Sequence, residues 1–361
     1  MEHSFAQLMD LSDEIVMIIL NKLDNVEVLY SLMNVSTRLN QIVQDSIFTT
    51  KITLMKSTDL TLTLPDAVLD RFCLKILPKI HHKIKWLNLE SASMERILLV
   101  ADYPNLRQLD IFINHEEPVL NLIDKSSLDR IFQNQIVTLS VTVELHINVY
   151  LFDDCLYLLD GRLNQLHTLF VHVFHIFSLR STINNKEELT NLKYFSLRST
   201  SETSVYDEVL VPHLHRMSNL ETLALYLPIK CKERFIDGNN LKKNIISHMP
   251  KLNEFIFNIR SIIPLNNQTH LLSNEDIHRT LTNLTDHQVI SCVDYFPSNK
   301  SGQCHFYTYP YTMVYYENIT NNFPGELFKC VQSVTLFDER PFEHTFFMQI
   351  AQAFPFLKEL T

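Results

Sequence analysis

Only four glycines occur among the 361 residues. That is too few for loops that cradle phosphate through backbone N–H groups, and neither GxGxxG nor GxxxxGK[ST] is present. Cysteine is sparse as well. The six, Cys73, Cys155, Cys231, Cys292, Cys304 and Cys330, are scattered with no CxxC pair, which argues against both a disulfide framework and a zinc site. Basic charge is in short supply: 31 Lys and Arg face 41 Asp and Glu, for a net charge of −10. Nucleic-acid affinity rests on phosphate contacts from a basic surface, so no nucleic-acid partner is expected. No apolar run approaches the ~18 residues of a membrane-spanning helix, and the N-terminus lacks the basic start and apolar core of a signal peptide. A soluble protein of the cytoplasm or nucleus is the expectation, with no membrane partner.

Catalytic signatures are missing too: no GxSxG, HExxH or Cys–His arrangement appears. The nearest His pairs are His172/His175 and His213/His215. The second pair falls in a helical pattern, where the two side chains diverge. Paired acids such as Glu116-Glu117, Asp153-Asp154 and Glu187-Glu188 read as loop or helix-start charges. No catalytic residue, no metal ligand and no cofactor is assigned, and a non-catalytic protein is expected.

What the chain does have is apolar patterning, with hydrophobic residues making up 46%. From Leu11 to Val43, Leu11, Ile15, Ile18, Ile19, Leu23, Val26, Leu29, Leu32, Met33, Val35, Leu39, Ile42 and Val43 recur at helical spacing. Three short helices fit, broken at Asp24-Asn25 and Asn34 to Thr37, which supply N-cap candidates. About 33 residues cannot bury that much apolar surface alone. The surplus should meet the rest of the chain or another protein.

The run Leu11-Ser12-Asp13-Glu14-Ile15, followed by Ile18-Ile19-Leu20, Leu23, Val28-Leu29, Leu32, Val35 and Arg38-Leu39, resembles an F-box. Ser12 stands where that family usually has Pro, and no Trp follows near Phe48. The resemblance implies a three-helix module that docks on a Skp-type adaptor within a cullin-based ubiquitin ligase. It nominates Leu11, Ile15, Ile19, Leu23, Leu29, Leu32, Val35 and Leu39 for the adaptor interface or for packing the module.

Beyond the module, Lys51 to Leu54 reads as a strand. A helix is expected from Pro65, with Pro at its start and Asp66 favouring the helix dipole, ending at Pro78. A Leu-x-x-Leu-x-Leu pattern then recurs at Ile84-Leu87-Leu89, Leu106-Leu109-Ile111, Ile136-Leu139-Val141 and Leu166-Leu169-Val171. It continues at Leu192-Phe195-Leu197, Leu220-Leu223-Leu225, Leu252-Phe255-Phe257 and Val331-Val334-Leu336, and begins again at Leu357-Leu360. Alternation puts each apolar set on one face of a short strand. Helical spacing returns between strands, at Ala92 to Ala101, Asp124 to Gln133, Thr203 to Met217 and Lys232 to Met249. One strand plus one helix cannot bury its apolar face alone, whereas stacked copies can. The repeats resemble a divergent leucine-rich-repeat solenoid, an α/β fold with a curved parallel sheet and outer helices. Since no polar terminal cap follows Leu360, the sequence reads as one that could continue.

Between Phe257 and Val331 the rhythm breaks. A helix over Asn274 to Leu284 is expected, then strands at Gln288 to Phe296, Gln303 to Tyr309 and Met313 to Tyr316, with a turn at Asn299 to Gly302. This reads as a β-rich insertion, about residues 260–328, whose many aromatics are expected to form core. The domain expectation is a helical module at 1–48, a linker and first helix at 49–82, and the solenoid at 83–361.

Residues between the inward leucines form columns on the concave face. Trp86, Phe112, Phe170, Tyr194 and Tyr226 are large aromatics there, joined by Arg198. Exposed aromatics with Arg are the usual composition of a protein-binding hot spot. These six are nominated for binding a target protein whose identity the sequence does not give. The leading expectation is the substrate-recognition subunit of a ligase of the SCF type. A repeat scaffold with no ubiquitin role, its N-terminal helices serving only as a cap, is the alternative.

Overall fold

The apolar spacing at the N-terminus produces α1 (Asp13–Leu20), α2 (Asn25–Leu32) and α3 (Thr37–Val43). These are seen in a computed structural model that describes residues 10–55, 64–113, 136–143, 166–177, 188–265, 271–282 and 284–361. Asn34 takes the left-handed conformation, φ 69°, which Asn tolerates, and this ends α2. Its N–H donates to Asn40 Oδ1 at 2.6 Å. The Ser36 hydroxyl caps α3 by accepting from the Leu39 N–H at 3.2 Å. Arg38 Nε, on α3, donates to Asp13 Oδ1 on α1 at 2.7 Å, closing the three helices on one another. Asp45 then caps α4 (Ser46–Thr49), its carboxylate accepting from the Ile47 N–H at 2.9 Å.

The chain divides into two compact units, Met1–Val171 and His172–Thr361. In the first, β1 (Lys51–Leu54), β2 (Trp86–Glu90), β3 (Gln108–Ile113) and β4 (Thr138–Val143) pair in parallel, each with the next. The repeated segments supply β2 to β4. Their inward leucines lie in one register, Ile52 opposite Leu87, Leu87 opposite Leu109 and Leu109 opposite Leu139. All four are fully buried. A strand β5 (Thr168–Val173) begins at the next repeated segment, where the Thr168 N–H donates to the Val137 carbonyl. Helix α7 (Ser91–Leu98) packs behind β2 and β3. The expected helix over Asp124 to Gln133 lies outside the described residues.

The helix that starts at Asp66 does not stop at Pro78. It runs as α5 (Asp66–Arg71), one wider π turn (Phe72–Ile76) and α6 (Leu77–Ile80). The π turn restarts the hydrogen-bond pattern. Pro78 therefore falls in a first turn, where its missing N–H costs nothing.

In the second unit β6 (Tyr194–Ser199), β7 (Thr222–Lys230) and β8 (Glu254–Pro264) again pair in parallel. Phe195, Leu223 and Phe255 share one register. Helical turns at Tyr206–Leu210 and α8 (Val211–Leu214) separate β6 from β7, and α9 (Gly238–Asn244) separates β7 from β8. The irregular region then adds α10 (Asn274–Leu281), β9 (Gln288–Phe296) and β10 (Ser301–Tyr309). Helix α10 ends at Leu281, three residues short of the expected Leu284, and Ser273 with Asp276 forms a capping box at its start. Strand β10 pairs antiparallel with both β8 and β9, so the insertion extends the sheet by two strands.

The strand expected at Met313 to Tyr316 is instead β11 (Tyr315–Ile319). Met313 is buried in the core, and the Val314 carbonyl accepts from Gln332 and Ser333 N–H groups, so pairing starts only at Tyr315. Strands β11, β12 (Ser333–Leu336) and β13 (Glu359–Leu360) form a separate parallel sheet, beside α11 (His344–Ala353). Beneath it lies a core of Tyr307, Tyr311, Tyr316, Phe323, Phe328, Phe346 and Phe354. Most of the insertion's aromatics are thus interior.

One glycine sets a close approach. A Cβ on Gly238, at the start of α9, would lie 1.8 Å from the Thr280 carbonyl oxygen of α10. The Gly238 N–H donates to Thr280 Oγ1 at 2.8 Å, which ties the two helices at this close approach. Gly238→Ala is expected to push α9 off α10 and destabilise this unit by about 1–3 kcal/mol. A lower urea midpoint for the variant checks this, and an unchanged one would show the two helices free to separate.

Candidate functional site

The inner side of the helical module is held to the elements that follow it. Tyr30 stacks on Phe72 with centroids 6.4 Å apart. Arg71 Nη2 donates to the Met33 carbonyl at 3.2 Å, and Lys83 Nζ to the Gln44 carbonyl at 2.8 Å. Asn25 Nδ2 is shared between the Ile47 and Lys51 carbonyls. The helix expected from Pro65 does not cover the first strand by itself. The module packs against that helix and on β1 as well.

The outer side is different. Of the eight nominated adaptor residues, Ile15, Ile19, Leu23 and Val35 are exposed, and Leu11 and Leu32 are half-buried. Leu29 and Leu39 are buried and pack the module from within. Ile18, in the apolar pattern but not nominated, is the most open of the α1 isoleucines at 65% exposure. Its spacing from Ile15 and Ile19 was the signal available in the sequence. An apolar groove continues from this ridge, lined by Ile19, Leu23, Val26, Leu32, Leu64 and Val68. Isoleucines exposed to this degree on adjacent turns form an apolar patch, which is uncommon on a solvated helix surface.

Within each unit the column residues named from the sequence are register partners. In the first unit Trp86, Gln108 and Thr138 are aligned, as are Glu90, Phe112 and Thr142. Trp86 is half-buried and engaged: Lys51 Nζ stands 3.4 Å from its ring centroid, and its Nε1–H donates to Asp110 Oδ2 at 2.8 Å. Phe112 is half-buried, and Phe170 is exposed at 37%. In the second unit Tyr194, Thr222 and Glu254 align, as do Arg198, Tyr226 and Asn258.

Arg198 and Tyr226 are less open than the sequence suggested, because the chain leaving β10 returns across this face. The Arg198 guanidinium lies over the Tyr315 ring, 4.1 Å from its centroid. Tyr226 packs against the aromatic core. Tyr226, with Asn258, Arg260, His305, Tyr311, Tyr315 and Glu317, lines a small polar cleft that sequence reasoning missed, and Arg198 stands beside it over the Tyr315 ring. The cleft's signal was the alternation in Phe257-Asn258-Ile259-Arg260, which carries β8 past the repeat pattern.

Inside the cleft the hydrogen bonds run in one direction. His305 Nε2–H donates to Asn258 Oδ1 at 2.6 Å, Asn258 Nδ2 to the Tyr311 hydroxyl at 2.8 Å, and that hydroxyl to the Tyr315 carbonyl at 3.0 Å. Arg260 Nη2 pairs with Glu317 Oε2 at 3.3 Å. Burial, with Arg260 nearby, pushes His305 down to about 3, and burial with the Arg198 charge pushes His172 down to about 4. A depressed histidine leaves the proton to the unfolded chain, so stability is full above about pH 6.5 and falls as the pH drops below it. His305 alone is expected to cost about 2 kcal/mol of stability at pH 5. Urea midpoints at pH 7 and pH 5, with His305→Gln giving a flatter dependence, check this.

The other His pair stays apart. His213 Nδ1 bonds the Val209 carbonyl at 2.6 Å and His215 Nε2 the Asn244 carbonyl at 2.7 Å. Among the described residues no three His, Cys, Asp or Glu side chains gather as metal ligands would. No described helix is long and apolar enough to cross a membrane.

The first unit thus carries a three-helix module closed by Arg38 and Asp13, with one face on the first strand and an apolar ridge outside. Residues 8–51 match the F-box domain, which supports an F-box protein. F-box domains are generally the adaptor-binding modules of SCF ubiquitin ligase receptors, and the proteins that carry them are typically non-catalytic. No curated protein is similar to the chain as a whole.

Proposed function

We propose that this chain is the target-recognition subunit of a cullin-based ligase of the SCF type. The observation that carries the reading is the F-box match at residues 8–51, joined to the exposed ridge of Ile15, Ile18, Ile19, Leu23 and Val35. That ridge docks on a Skp-type adaptor. The parallel strands that follow act as divergent leucine-rich repeats, and their outward columns, from Trp86 and Phe112 through Phe170 to Tyr194, Arg198 and Tyr226, hold a target protein. Function then comes from proximity. Holding a target beside a ubiquitin-conjugating enzyme raises the effective concentration of its lysines, with no catalytic group needed here. Co-expression with a Skp-type adaptor and co-purification of the two is the test, and a folded chain that captures no adaptor ends the ligase reading.

The scaffold alternative, with the helices as a cap and no ubiquitin role, draws support from the packing of α2 on β1 and of Tyr30 on Phe72. Deleting residues 1–45 does not separate the two readings, because the inner face is needed in both. Substitutions on the outer ridge do.

A further inference from the structure

We propose that the cleft lined by Arg260, with the Arg198 guanidinium beside it over Tyr315, receives a carboxylate from an acidic side chain of a bound protein. The inference rests on the target-recognition reading above, and adds the chemistry that one part of the face selects.

The charges around the cleft do not balance. Arg260 is 9% exposed and has Glu317 as its partner. Arg198 is half-buried over Tyr315, and its Nε is buried with no hydrogen-bond partner. No ion pair among the described residues holds its head. Among the described residues Glu317 is the one acid lining the cleft, already paired with Arg260. His305 is neutral at physiological pH, and Tyr226, Tyr311 and Tyr315 are phenols. Two guanidinium groups, Arg260 in the cleft and Arg198 beside it, thus share the field of one carboxylate. A cation taken partly out of water without a counter-charge is costly, and that cost falls when an anion arrives.

Size and shape favour a carboxylate over a larger anion. The half-open cleft has about 30 Å³ of free volume, room for one or two waters or the tip of a side chain. A planar carboxylate also matches the guanidinium fork. The location fits a protein ligand: Tyr226, which lines the cleft, and its register partner Arg198 are half-buried, so the tip of an acidic side chain can reach the cleft past the returning chain.

The test is anisotropy of a fluorescent hexaglutamate peptide with the full chain at low salt, against hexaglutamine. Hexaglutamate is expected to bind and hexaglutamine not. Arg198→Gln is expected to weaken binding at least tenfold, Arg198→Lys to fall between, and Lys85→Gln, in the other unit, to bind as wild type. Equal binding by Arg198→Gln, or none by wild type, overturns the proposal. So does tenfold tighter binding of a phosphoserine peptide, which would make the site one for phosphate. If Arg198→Gln does not fold, hexaglutamate should still protect Arg198 of the wild type from phenylglyoxal, and unchanged modification overturns the proposal. Adaptor capture on the same samples keeps the two readings apart, since a wild type that binds the peptide but no adaptor defeats only the ligase reading.

Discussion

Ile15→Asp is expected to weaken capture of a Skp-type adaptor by about a hundredfold or more while leaving the melting temperature within a degree or two of wild type. Ile15 is 46% exposed, beside Ile18 at 65% and Ile19 at 42%. In the free chain a carboxylate at this position stays in water and disturbs no packing. In a dry interface it would be stripped of water with no partner, which is strongly unfavourable. Leu29→Ala is the opposite case. Leu29 is wholly buried, so truncation should cost about 2–5 kcal/mol of stability, and any loss of adaptor follows from unfolding. The two variants together, followed by adaptor pull-down and thermal melts, separate the outer ridge from the inner core. Full capture by a folded Ile15→Asp chain would remove the ridge from the docking surface.

Phe328→Ala is expected to be among the most damaging single changes in the second unit, at about 3–5 kcal/mol. Phe328 is fully buried. Its ring stands 4.9 Å from Phe354, 5.2 Å from Tyr316, 5.3 Å from Tyr311, 5.7 Å from Phe323 and 5.9 Å from Tyr307. Removing it leaves a cavity that five rigid rings cannot close, and each forfeits an aromatic contact. Phe328→Leu, which keeps much of the volume, should cost less than half as much. Urea unfolding monitored by near-ultraviolet tyrosine dichroism reads both. Equal stability of the alanine variant and wild type would mean that the aromatic core is not the second unit's main support.

How much of this was legible beforehand depends on the range of the interactions. The helices of the N-terminal module were readable because their signals are local: Leu11 to Val43 at helical spacing, with breaks at Asp24 and Asn34. Strands β2, β3, β6, β7 and β8 were readable for the same reason, since alternation fixes which face Leu87 or Leu223 turns inward. The continuation through Pro78 was not, because a π turn has no composition of its own. Nor could spacing show that Leu29 and Leu39 would point in while Ile18 pointed out, because the inner side is chosen by β1 and Phe72, which lie further along the chain. The polar cleft was hidden for a related reason. Asn258, His305 and Tyr311 meet only because β10 runs back against β8, a pairing across about fifty residues that no local pattern encodes.

The arrangement of Lys51, Trp86 and Asp110 makes the chain its own spectroscopic instrument. Trp86 is the sole tryptophan, and it lies in the unit that carries the F-box match. Light absorbed at the red edge of the protein band is therefore re-emitted from one address. An ammonium over the indole face and a carboxylate on its N–H both tune the colour and yield of that emission; the first departs when β1 leaves β2, the second when β3 does. Indole emission reports the loosening of the first unit, tyrosine dichroism reports chiefly the second, and a single sample can show whether the two melt together or in turn.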